Sequence, residues 1–394
     1  MKAVVFHDIG DIRLDDVAEP SLQESTDAIV RITTSAICGT DLHFIRGTVP
    51  GMRPGTILGH EAVGVIEEVG QNVRNFRPGD RVVIPSTIAC GYCSYCRSGY
   101  YAQCDNINPH GKQGGTSFYG GPEPTGAFDG LQAEKARIPF AAVNLFKLPD
   151  EVTDDQAILL SDIFPTAYFG AELADIKPGH SVAVFGCGPV GIFAIISAQM
   201  MDAGRVFAID DRPDRLDAAR DQGAEIVNFS EENPVDKIRE LTGGIGVDCA
   251  IDAVGVDAEC PHGQSAEDFT RERDQVAPEQ RPQDDLWKPG RAPSQSLRWA
   301  TEALAKAGTL SIIGVYPPTD TTFPIGLAMN RNLTVRMGNC NHRKYIPRLI
   351  EYVKSGSVDI TQVLKQEEPM HAVLDAYGEF DTRQPGWLKV SVKP

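Results

Sequence analysis

The sequence has few features that would hold a protein at a membrane or on a nucleic acid. None of its apolar runs approaches the roughly 20 residues that span a bilayer. The opening MKAVVFHDIGDIRL lacks the charged and apolar regions of a signal peptide. The 37 Lys and Arg residues are outnumbered by 54 Asp and Glu, which leaves no basic surface for nucleic acid or anionic lipid. We therefore expect a cytoplasmic protein without a membrane or nucleic-acid partner.

Cysteine is sparse as well, except in residues 90–104. Four of the nine cysteines lie there in the spacing CxxCxxCx7C, namely Cys90, Cys93, Cys96 and Cys104. In a large acidic chain without an export signal, this group predicts metal binding rather than disulfides or free thiols. Four thiolates form a closed tetrahedron, which suits a structural zinc ion and leaves no position for a substrate. An iron–sulfur cluster is the alternative, but its fourth cysteine comes sooner and precedes proline, whereas Cys104 precedes Asp105.

The changing pattern along the chain predicts two domains. From Met1 to about Phe146, short β-rich runs such as AIVRI and DRVVIP are separated by Gly and Pro. From about Asp150, apolar strands alternate with helices, which predicts a parallel, doubly wound sheet. Residues 256–295 are rich in Pro, Gln, Asp and Arg, too polar for a strand or core helix, and are predicted to form a surface insertion. The predicted fold class is α/β, with a β-rich domain and a parallel-sheet domain.

A dinucleotide-binding turn is predicted after the strand SVAVF. Gly186, Gly188 and Gly191 follow it in GxGxxG spacing, and Pro189 and Val190 open the next helix. The first glycine permits a tight turn, the second lets the backbone approach a pyrophosphate, and the third lets helix pack on strand. The context of strand and helix makes this spacing specific.

The end of the next strand, VFAID, predicts which dinucleotide binds. Asp210 stands nineteen residues beyond Gly191, where a carboxylate can accept from both ribose hydroxyls of NAD and repels a 2′-phosphate. Arg212 and Arg215 follow closely and soften that exclusion. NAD is therefore the predicted cofactor, with Arg215 among its contacts. The alternative is an ordinary glycine turn with a solvated acidic loop.

A second set of metal ligands is predicted in the first sixty residues. Cys38 begins CGTDLH, and His60 and Glu61 stand in GHEAVGVIEEVGQNV. One thiolate and one imidazole are two ligands for a catalytic zinc, which needs a third protein group. Taken singly, a Cys or His in an apolar stretch is more often part of a core.

Together these motifs resemble the zinc-containing medium-chain dehydrogenase/reductase family across essentially the whole chain. The family signature GHExxGxxxxxGxxV is matched at residues 59–73 and GDRV at residues 79–82, and the cysteine quartet matches the family's structural zinc lobe. The resemblance implies a GroES-like catalytic domain, residues 1–162 with a return at residues 323–394, and a Rossmann domain at residues 163–322. It also implies two zinc ions per subunit, one catalytic and one structural, with NAD as cofactor and a homodimer or homotetramer.

By the same resemblance, Cys38 and His60 ligate the catalytic zinc, Glu61 is a nearby carboxylate that can enter its shell, and Asp41 orients the ligand histidine. The third ligand is then Asp162, in LLSDIFPTAYFGAE, where alcohol dehydrogenases of the family have cysteine. A carboxylate is a harder ligand than a thiolate and donates less charge, which makes the metal a stronger Lewis acid. The alternative is that Asp162 only caps the next turn, while Glu61 or water completes the shell.

Thr40 and His43 match the family's proton relay. That relay carries the proton from the alcohol oxygen through a hydroxyl and the cofactor ribose to an imidazole, because a buried pocket offers no bulk water to accept it. His43 is expected to release the proton at the surface. The plain alternative is that Thr40 is a turn hydroxyl and His43 an ordinary surface residue.

The predicted activity is hydride transfer between NAD and a small alcohol or aldehyde hydrate. Asp162, the insertion and GEFD near the C-terminus resemble the glutathione-independent formaldehyde dehydrogenase and formaldehyde dismutase branch, in which the insertion holds NAD tightly. The composition of this insertion equally suits a disordered loop. The pocket is expected near Thr40, Ser86, Thr87 and Phe164. The other candidates are a polyol, threonine or secondary-alcohol dehydrogenase, and a redox-inert zinc- and NAD-binding protein, against which the intact relay argues.

Overall fold

Short strands separated by loops make up the N-terminal part of the chain in the computed structural model, which describes residues 1–394. The elements there are β1 Lys2–Asp8, β2 Asp11–Asp16, β3 Ala28–Ile37, α1 Gly39–Ile45, β4 Ala62–Val69, β5 Arg81–Ile84, α2 Ser94–Arg97, β6 Lys135–Ile138, α3 Ala141–Asn144, β7 Phe146–Lys147, α4 Asp154–Ser161 and α5 Ile163–Leu173. Few of these helices exceed two turns.

Strands and helices alternate in the middle of the chain. The elements are β8 Ser181–Phe185, α6 Pro189–Met200, β9 Arg205–Asp210, α7 Pro213–Asp221, β10 Glu225–Asn228, α8 Pro234–Leu241, β11 Val247–Asp252, α9 Thr270–Val276, α10 Gln295–Ala303, β12 Leu304–Ile312, α11 Ile325–Asn330 and β13 Thr334–Met337. The C-terminal part adds α12 His342–Lys354, β14 Gln366–Pro369, α13 Val373–Asp381 and β15 Val390–Lys393. Short 3₁₀ turns occur at Tyr101–Gln103, Gly111–Gln113, Glu123–Thr125, Gly255–Asp257, Ala266–Phe269, Thr361–Val363 and Met370–Ala372.

The chain divides into two units. The first unit contains residues 1–165, 280–287 and 340–394, and the second contains residues 166–279 and 288–339. The first unit holds a seven-stranded sheet in the order β14-β15-β3-β4-β5-β7, with β6 also paired to β3, and a separate β1-β2 pair. β15 therefore lies beside β3, although the two are far apart in sequence.

The second unit holds a six-stranded parallel sheet in the order β10-β9-β8-β11-β12-β13. Numbered within the unit this is 3-2-1-4-5-6, the order of the Rossmann fold. Strands such as β8, SVAVF, are almost wholly apolar and buried, as expected where helices cover both faces of a parallel sheet. The predicted combination of a β-rich domain with a Rossmann domain is confirmed.

The unit boundaries differ from the predicted domain boundaries of 162/163 and 322/323. The structure divides after Pro165 and again after Asn339. The later return to the first unit has a simple cause: β13 pairs in parallel with β12 and so extends the Rossmann sheet beyond residue 323.

The insertion, residues 256–295, is more ordered than its composition suggested. It contains α9, and Trp287 is buried in the core of the first unit, where its backbone N–H donates to Asp381 Oδ2 at 2.7 Å. Burial of Trp287 corrects the expectation that the whole segment lies on the surface. No helix of the chain combines the length and apolar character needed to cross a membrane.

Candidate active site

Strand ends bring the first predicted ligands together. β3 and β4 are antiparallel, with Ser35 opposite Ala62, so the end of β3 lies beside the start of β4. Cys38 directly follows β3, and His60 and Glu61 directly precede β4. The pairing register therefore places a thiol, an imidazole and a carboxyl at one end of the sheet.

A serine at the end of α4 places Asp162 at the same end. Ser161 Oγ donates to the carbonyl of Ile84 at 2.6 Å and accepts from the N–H of Ala62 at 3.1 Å. The end of α4 is thus tied to both β4 and β5. Asp162 follows Ser161 and leaves the helix with φ −142°, which directs the chain into α5.

The four predicted side chains form one donor group. Ligand atoms of Cys38, His60, Glu61 and Asp162 all lie within 4.8 Å of one another. His60 Nε2 and Asp162 Oδ2 are 3.4 Å apart. Thiolate, imidazole and carboxylate are the donors that zinc takes in proteins, so the residues present fit a zinc ion.

Asp41 orients His60, as the resemblance implied. Asp41 Oδ1 lies 3.1 Å from His60 Nδ1, while Asp41 Oδ2 accepts from the N–H of Cys38 at 3.0 Å. A carboxylate on Nδ1 leaves Nε2 directed at the donor group. Burial opposes a charged imidazole, but the charges of Asp41 and Cys38 raise the pKa of His60 well above its usual value.

Further buried groups support Asp41. Gln132 Nε2 donates to the carbonyl of Ala36 at 2.9 Å and approaches Asp41 Oδ2 at 3.4 Å. The hydroxyl of Tyr377 donates to Gln132 Oε1 at 2.8 Å. The sequence analysis missed both residues, because neither belongs to a motif.

Lys389, also missed, controls the position of Glu61. Its Nζ lies 2.6 Å from Glu61 Oε2 and donates to Oε1 at 2.8 Å, and both side chains are fully buried. β15 pairs with β3 so that Val390 faces Ile37, which sets Lys389 beside Cys38. Burial would lower the pKa of Lys389, but the Glu61 charge raises it, so the ammonium remains charged.

Asp162 has a separate set of partners. His342 Nε2 lies 2.7 Å from its Oδ1, and Ser86 Oγ donates to the same oxygen at 3.0 Å. Burial would raise the pKa of Asp162, but hydrogen bonds from His342 and His60 lower it well below the usual range, so the carboxylate is charged. Ser86 and Asp162 both approach the same nitrogen of His342, which is not the arrangement of a Ser-His-Asp nucleophile.

Thr40 and His43 both lie on α1, beside this group. Thr40 is half-buried, and the His43 side chain is buried. The expectation that His43 reaches the surface is therefore wrong for the chain as folded here. The reason is that α1 packs its residues Leu42 and Ile45 into the core of the first unit, so that its residues from Asp41 to Ile45 are all buried.

The cysteine quartet forms the second donor group. The ligand sulfurs of Cys90, Cys93, Cys96 and Cys104 lie within 4.8 Å of one another. Cys90 Sγ and Cys96 Sγ are 4.0 Å apart, far beyond the about 2.05 Å of a disulfide and close to the roughly 3.8 Å edge of a tetrahedron with zinc–sulfur bonds of about 2.3 Å.

Backbone N–H groups surround these sulfurs. Cys90 Sγ accepts from the N–H of Cys93 at 3.4 Å, and Cys104 Sγ accepts from the N–H of Cys90 at 3.2 Å. Without a metal ion these neighbouring thiols share their protons unevenly: the pKa values of Cys90 and Cys96 are raised, while hydrogen bonds from Cys96 and the backbone lower the pKa of Cys104. Such donors stabilise thiolates, so the loop fits a structural zinc ion.

The glycine-rich turn has the predicted geometry. Gly186 has φ +89°, which only glycine adopts readily, and a Cβ on Gly191 would lie 1.8 Å from the carbonyl oxygen of Gly186. At Gly188 a Cβ would meet nothing closer than Arg215 Nη1 at 3.8 Å, so its surroundings are open. Pro189 and Val190 start α6, whose first N–H groups therefore face this turn.

Asp210 closes the turn from the neighbouring strand. It is the last residue of β9, and its Oδ2 accepts from the N–H of Cys187 at 2.7 Å. Its Oδ1 accepts from the N–H of Arg212 at 3.0 Å. The carboxylate thus lies against the glycine turn, and its predicted role toward the ribose of NAD stays a prediction.

Comparison with known proteins identifies the family. Residues 24–150 match the alcohol dehydrogenase GroES-like domain, and residues 189–262 match the family described as zinc-binding dehydrogenase. The chain is 36% identical to an uncharacterized zinc-type alcohol dehydrogenase-like protein of Bacillus subtilis, with 100% of both chains covered. It belongs to the zinc-containing medium-chain dehydrogenase/reductase family.

Other members are similar over their whole length. The dehydrogenase is 34% identical to the alcohol dehydrogenase TADH from Thermus sp. ATN1, with a TM-score of 0.82 over 100% of this chain and 99% of that one. It is 32% identical to the glutathione-independent formaldehyde dehydrogenase of Pseudomonas aeruginosa, over 98% of this chain and 96% of the relative. The prediction of a zinc-type alcohol dehydrogenase-like enzyme is confirmed.

Proposed function

We propose that this dehydrogenase oxidises a small alcohol or aldehyde hydrate with NAD and catalyses the reverse reduction. Three members of the buried donor group, Cys38, His60 and Asp162, carry the proposal, because three protein ligands leave a coordination position for a substrate. Zinc held there would supply a Lewis acid for the alcohol or carbonyl oxygen. NAD held at the glycine turn would supply the hydride acceptor.

Asp162 rather than Glu61 is the proposed third ligand. Both oxygens of Glu61 lie close to Lys389 Nζ, at 2.8 and 2.6 Å, so the charge of Glu61 is already neutralised. Asp162 Oδ2 instead lies 3.4 Å from His60 Nε2, within the donor group. Glu61 is the reserve carboxylate, available once Lys389 releases it.

Thr40 and His43 are proposed to move the proton. The Thr40 hydroxyl would accept the proton of the bound alcohol, and His43, five residues after Cys38, would receive it at the imidazole. General acid–base groups of this kind contribute about 10²–10⁴-fold to rate. Thr40→Val is therefore expected to lower kcat by a factor in that range, whereas a turn hydroxyl would leave kcat unchanged.

The proposed cofactors are two zinc ions per subunit and a dinucleotide, with NAD preferred over NADP. The two donor groups support the metal stoichiometry, and Asp210 beside the glycine turn supports NAD. Arg215 near Gly188 is proposed to contact the cofactor phosphates. Metal analysis of the purified holoenzyme and titration with NAD and NADP test both points, and an Asp210→Ala variant should lose the preference for NAD.

Formaldehyde is the proposed substrate, and the 32% identity to a formaldehyde dehydrogenase over nearly the whole chain supports it together with Asp162. The test is incubation of the zinc-loaded enzyme with formaldehyde and no added cofactor, following methanol and formate. Equal yields are expected if NAD stays bound. Products that appear only after NAD is added would mean ordinary cofactor exchange. If neither product forms even with added NAD, formaldehyde is rejected as the substrate, and larger alcohols, sorbitol and threonine should be tested.

A homodimer or homotetramer is proposed, joined through β13. This edge strand of the Rossmann sheet carries exposed Met337, and nearby α11 exposes Ile325 and Met329. Unpaired edges with exposed apolar side chains are typical pairing surfaces. Light scattering after gel filtration should give a multiple of 42.7 kDa for the wild type and a smaller mass for Met337→Glu.

We also propose a cytoplasmic location. All nine cysteines are free thiols, which suits a reducing compartment. Cell fractionation with an antibody to the native protein would test this.

A further inference from the structure

His342 occupies an unexpected place beside the proposed ligand Asp162. It is the first residue of α12, it is buried, and its Nε2 lies 2.7 Å from Asp162 Oδ1. Its other ring nitrogen, Nδ1, lies 3.0 Å from Thr87 Oγ1. Both nitrogens of a buried imidazole are therefore in hydrogen bonds, and one of them is to a carboxylate of the donor group.

The two oxygens of Asp162 face different partners. Oδ1 receives the hydrogen bonds of His342 and of Ser86, the latter at 3.0 Å. Oδ2 lies 3.4 Å from His60 Nε2, on the side of the other candidate ligands. The two oxygens of the carboxylate thus have different surroundings: Oδ1 accepts hydrogen bonds from the protein, and Oδ2 faces the other candidate zinc ligands.

The start of α12 is itself fixed by the cysteine lobe. Asn341, immediately before His342, accepts from the N–H of Ala102 at 2.9 Å, and Ala102 lies between Cys96 and Cys104. The His342 backbone is therefore tied to the lobe that the structural zinc would stabilise. This contact explains how an imidazole at a helix terminus is held in one position.

We propose that His342 is a positioning residue, whose Nε2–H holds Asp162 Oδ1 so that Oδ2 alone is presented to the metal. Because a charged Asp162 carboxylate can only accept, the proton lies on Nε2, and in the neutral ring Nδ1 then accepts from the Thr87 hydroxyl at 3.0 Å. Without the bond from Nε2, Asp162 Oδ1 still accepts from Ser86 at 3.0 Å, but the carboxylate loses the 2.7 Å contact with His342 and is held less firmly in the donor group. The inference rests on the proposed metal site, because it assigns His342 a role toward one ligand of that site.

The experiment compares His342→Gln with His342→Asn in the zinc-loaded enzyme. The glutamine amide nitrogen takes the place of Nε2 and can still donate to Asp162, whereas the asparagine amide ends at the place of Nδ1 and can reach only Thr87. Both variants place a polar amide in the same buried site. The measurements are zinc affinity, by competition with a chelating dye, and the visible spectrum after replacement of the catalytic zinc by Co²⁺.

His342→Asn is expected to bind one of the two metals about 10–100-fold more weakly and to change the Co²⁺ spectrum, because outer hydrogen bonds to ligands have effects of that size. His342→Gln should remain close to the wild type. His110→Gln, at a half-exposed histidine of the same unit, is the matched control and should change neither readout. Equal affinities for the asparagine and glutamine variants, whether both normal or both weak, would overturn the role of the Nε2 donor.

Asp162→Asn separates this inference from the proposed function. If it binds both metals as the wild type does, Asp162 is not a ligand and the metal site as proposed fails. If it loses one metal while His342→Asn keeps both, the ligand assignment stands and only the role of His342 is rejected. Retention of the metal in the cysteine lobe reports that each variant is folded.

Discussion

Replacing Lys389 by methionine tests how strongly the fold holds Glu61. Lys389 Nζ lies 2.6 Å from Glu61 Oε2 and donates to the carbonyl of Ile37 at 3.0 Å, and both charged side chains have 0% exposure. Methionine keeps the apolar stem and removes the charge, so Glu61, whose pKa burial already raises, is left without its counterion and must stay charged or take up a proton at a cost in stability. Breaking a buried ion pair from one side costs about 3–5 kcal/mol.

The expected fall in melting temperature follows from the size of the unfolding unit. With an unfolding entropy of about 2.1 cal/mol/K per residue, the loss corresponds to about 4–6 °C if all 394 residues unfold together, and to about 6–10 °C if the first unit unfolds alone. Scanning calorimetry of the metal-free protein measures it. In the zinc-loaded enzyme the loss should be smaller, because a zinc ion held by the proposed ligands would lie beside the unpaired carboxylate.

Two variants make this prediction specific. The double variant Glu61→Gln with Lys389→Met removes both charges and should recover most of the lost stability. Lys393→Met removes a partly exposed ammonium near Asp155 from β15, the strand that directly follows Lys389, and should cost no more than about 1 kcal/mol. The reasoning is refuted if Lys389→Met has the melting temperature of the wild type, or if the double variant is no more stable than the single one. Either result would show that Lys389 does not stabilise the fold by neutralising Glu61.

Three further predictions concern other parts of the molecule. Burial would raise the pKa of Asp154, but bonds from Thr33 and Arg81 lower it below 3.8, so its stabilisation is present above that pH and is lost as the pH falls through the lowered pKa. Asp154→Asn should therefore cost about 1–2 kcal/mol in urea unfolding at pH 7 and progressively less as the pH falls below 3.8, and a cost independent of pH would contradict this reasoning. Cys90→Ser should leave one metal ion per chain by elemental analysis, and two retained ions would show that the lobe does not need that thiolate. Gly191→Ala should misfold, because its Cβ would lie 1.8 Å from a backbone carbonyl oxygen, whereas Gly188→Ala should melt like the wild type. Gly188→Ala should nevertheless bind NAD more weakly in a fluorescence titration, because its Cβ would stand where the pyrophosphate approaches the backbone. Normal NAD affinity of this variant would show that the pyrophosphate does not bind at this turn.

The features that could be predicted from sequence are those specified by residues close together in the chain. A tight turn between strand and helix requires glycine at position 186, where φ is +89°, and the GxGxxG spacing reports that requirement directly. The cysteine quartet could be predicted as well, because its four residues lie within fifteen positions of the chain. Cys38, His60 and Asp162 are distant in sequence, but each stands in a local pattern typical of the family, and the structure brings their ligand atoms within 4.8 Å.

The features that could not be predicted depend on strand register and tertiary packing. Lys389 stands in WLKVSV and His342 in CNHRKY, where a single Lys or His gives no periodic signal. Only the pairing of Val390 with Ile37 places Lys389 beside Glu61. The burial of His43 and Trp287 was missed in the same way, because the polar segments that contain them pack against residues more than 80 positions away, such as Tyr377.

The two donor groups differ in how much of the sequence they span, and this difference implies an order of metal binding during protein synthesis. All four thiolates of the lobe belong to residues 90–104, so the lobe can close on its ion while the rest of the chain is still being made. The ligands of the other group extend from Cys38 to Asp162, and its Glu61 gains its counterion only when Lys389, 328 positions later in the chain, has been made. At translation rates of about 5–20 residues per second, roughly 15–60 s separate the synthesis of Cys104 from that of Lys389. During this interval the nascent chain would have all four thiolates of the lobe, whereas Glu61 would still lack the ammonium that neutralises it.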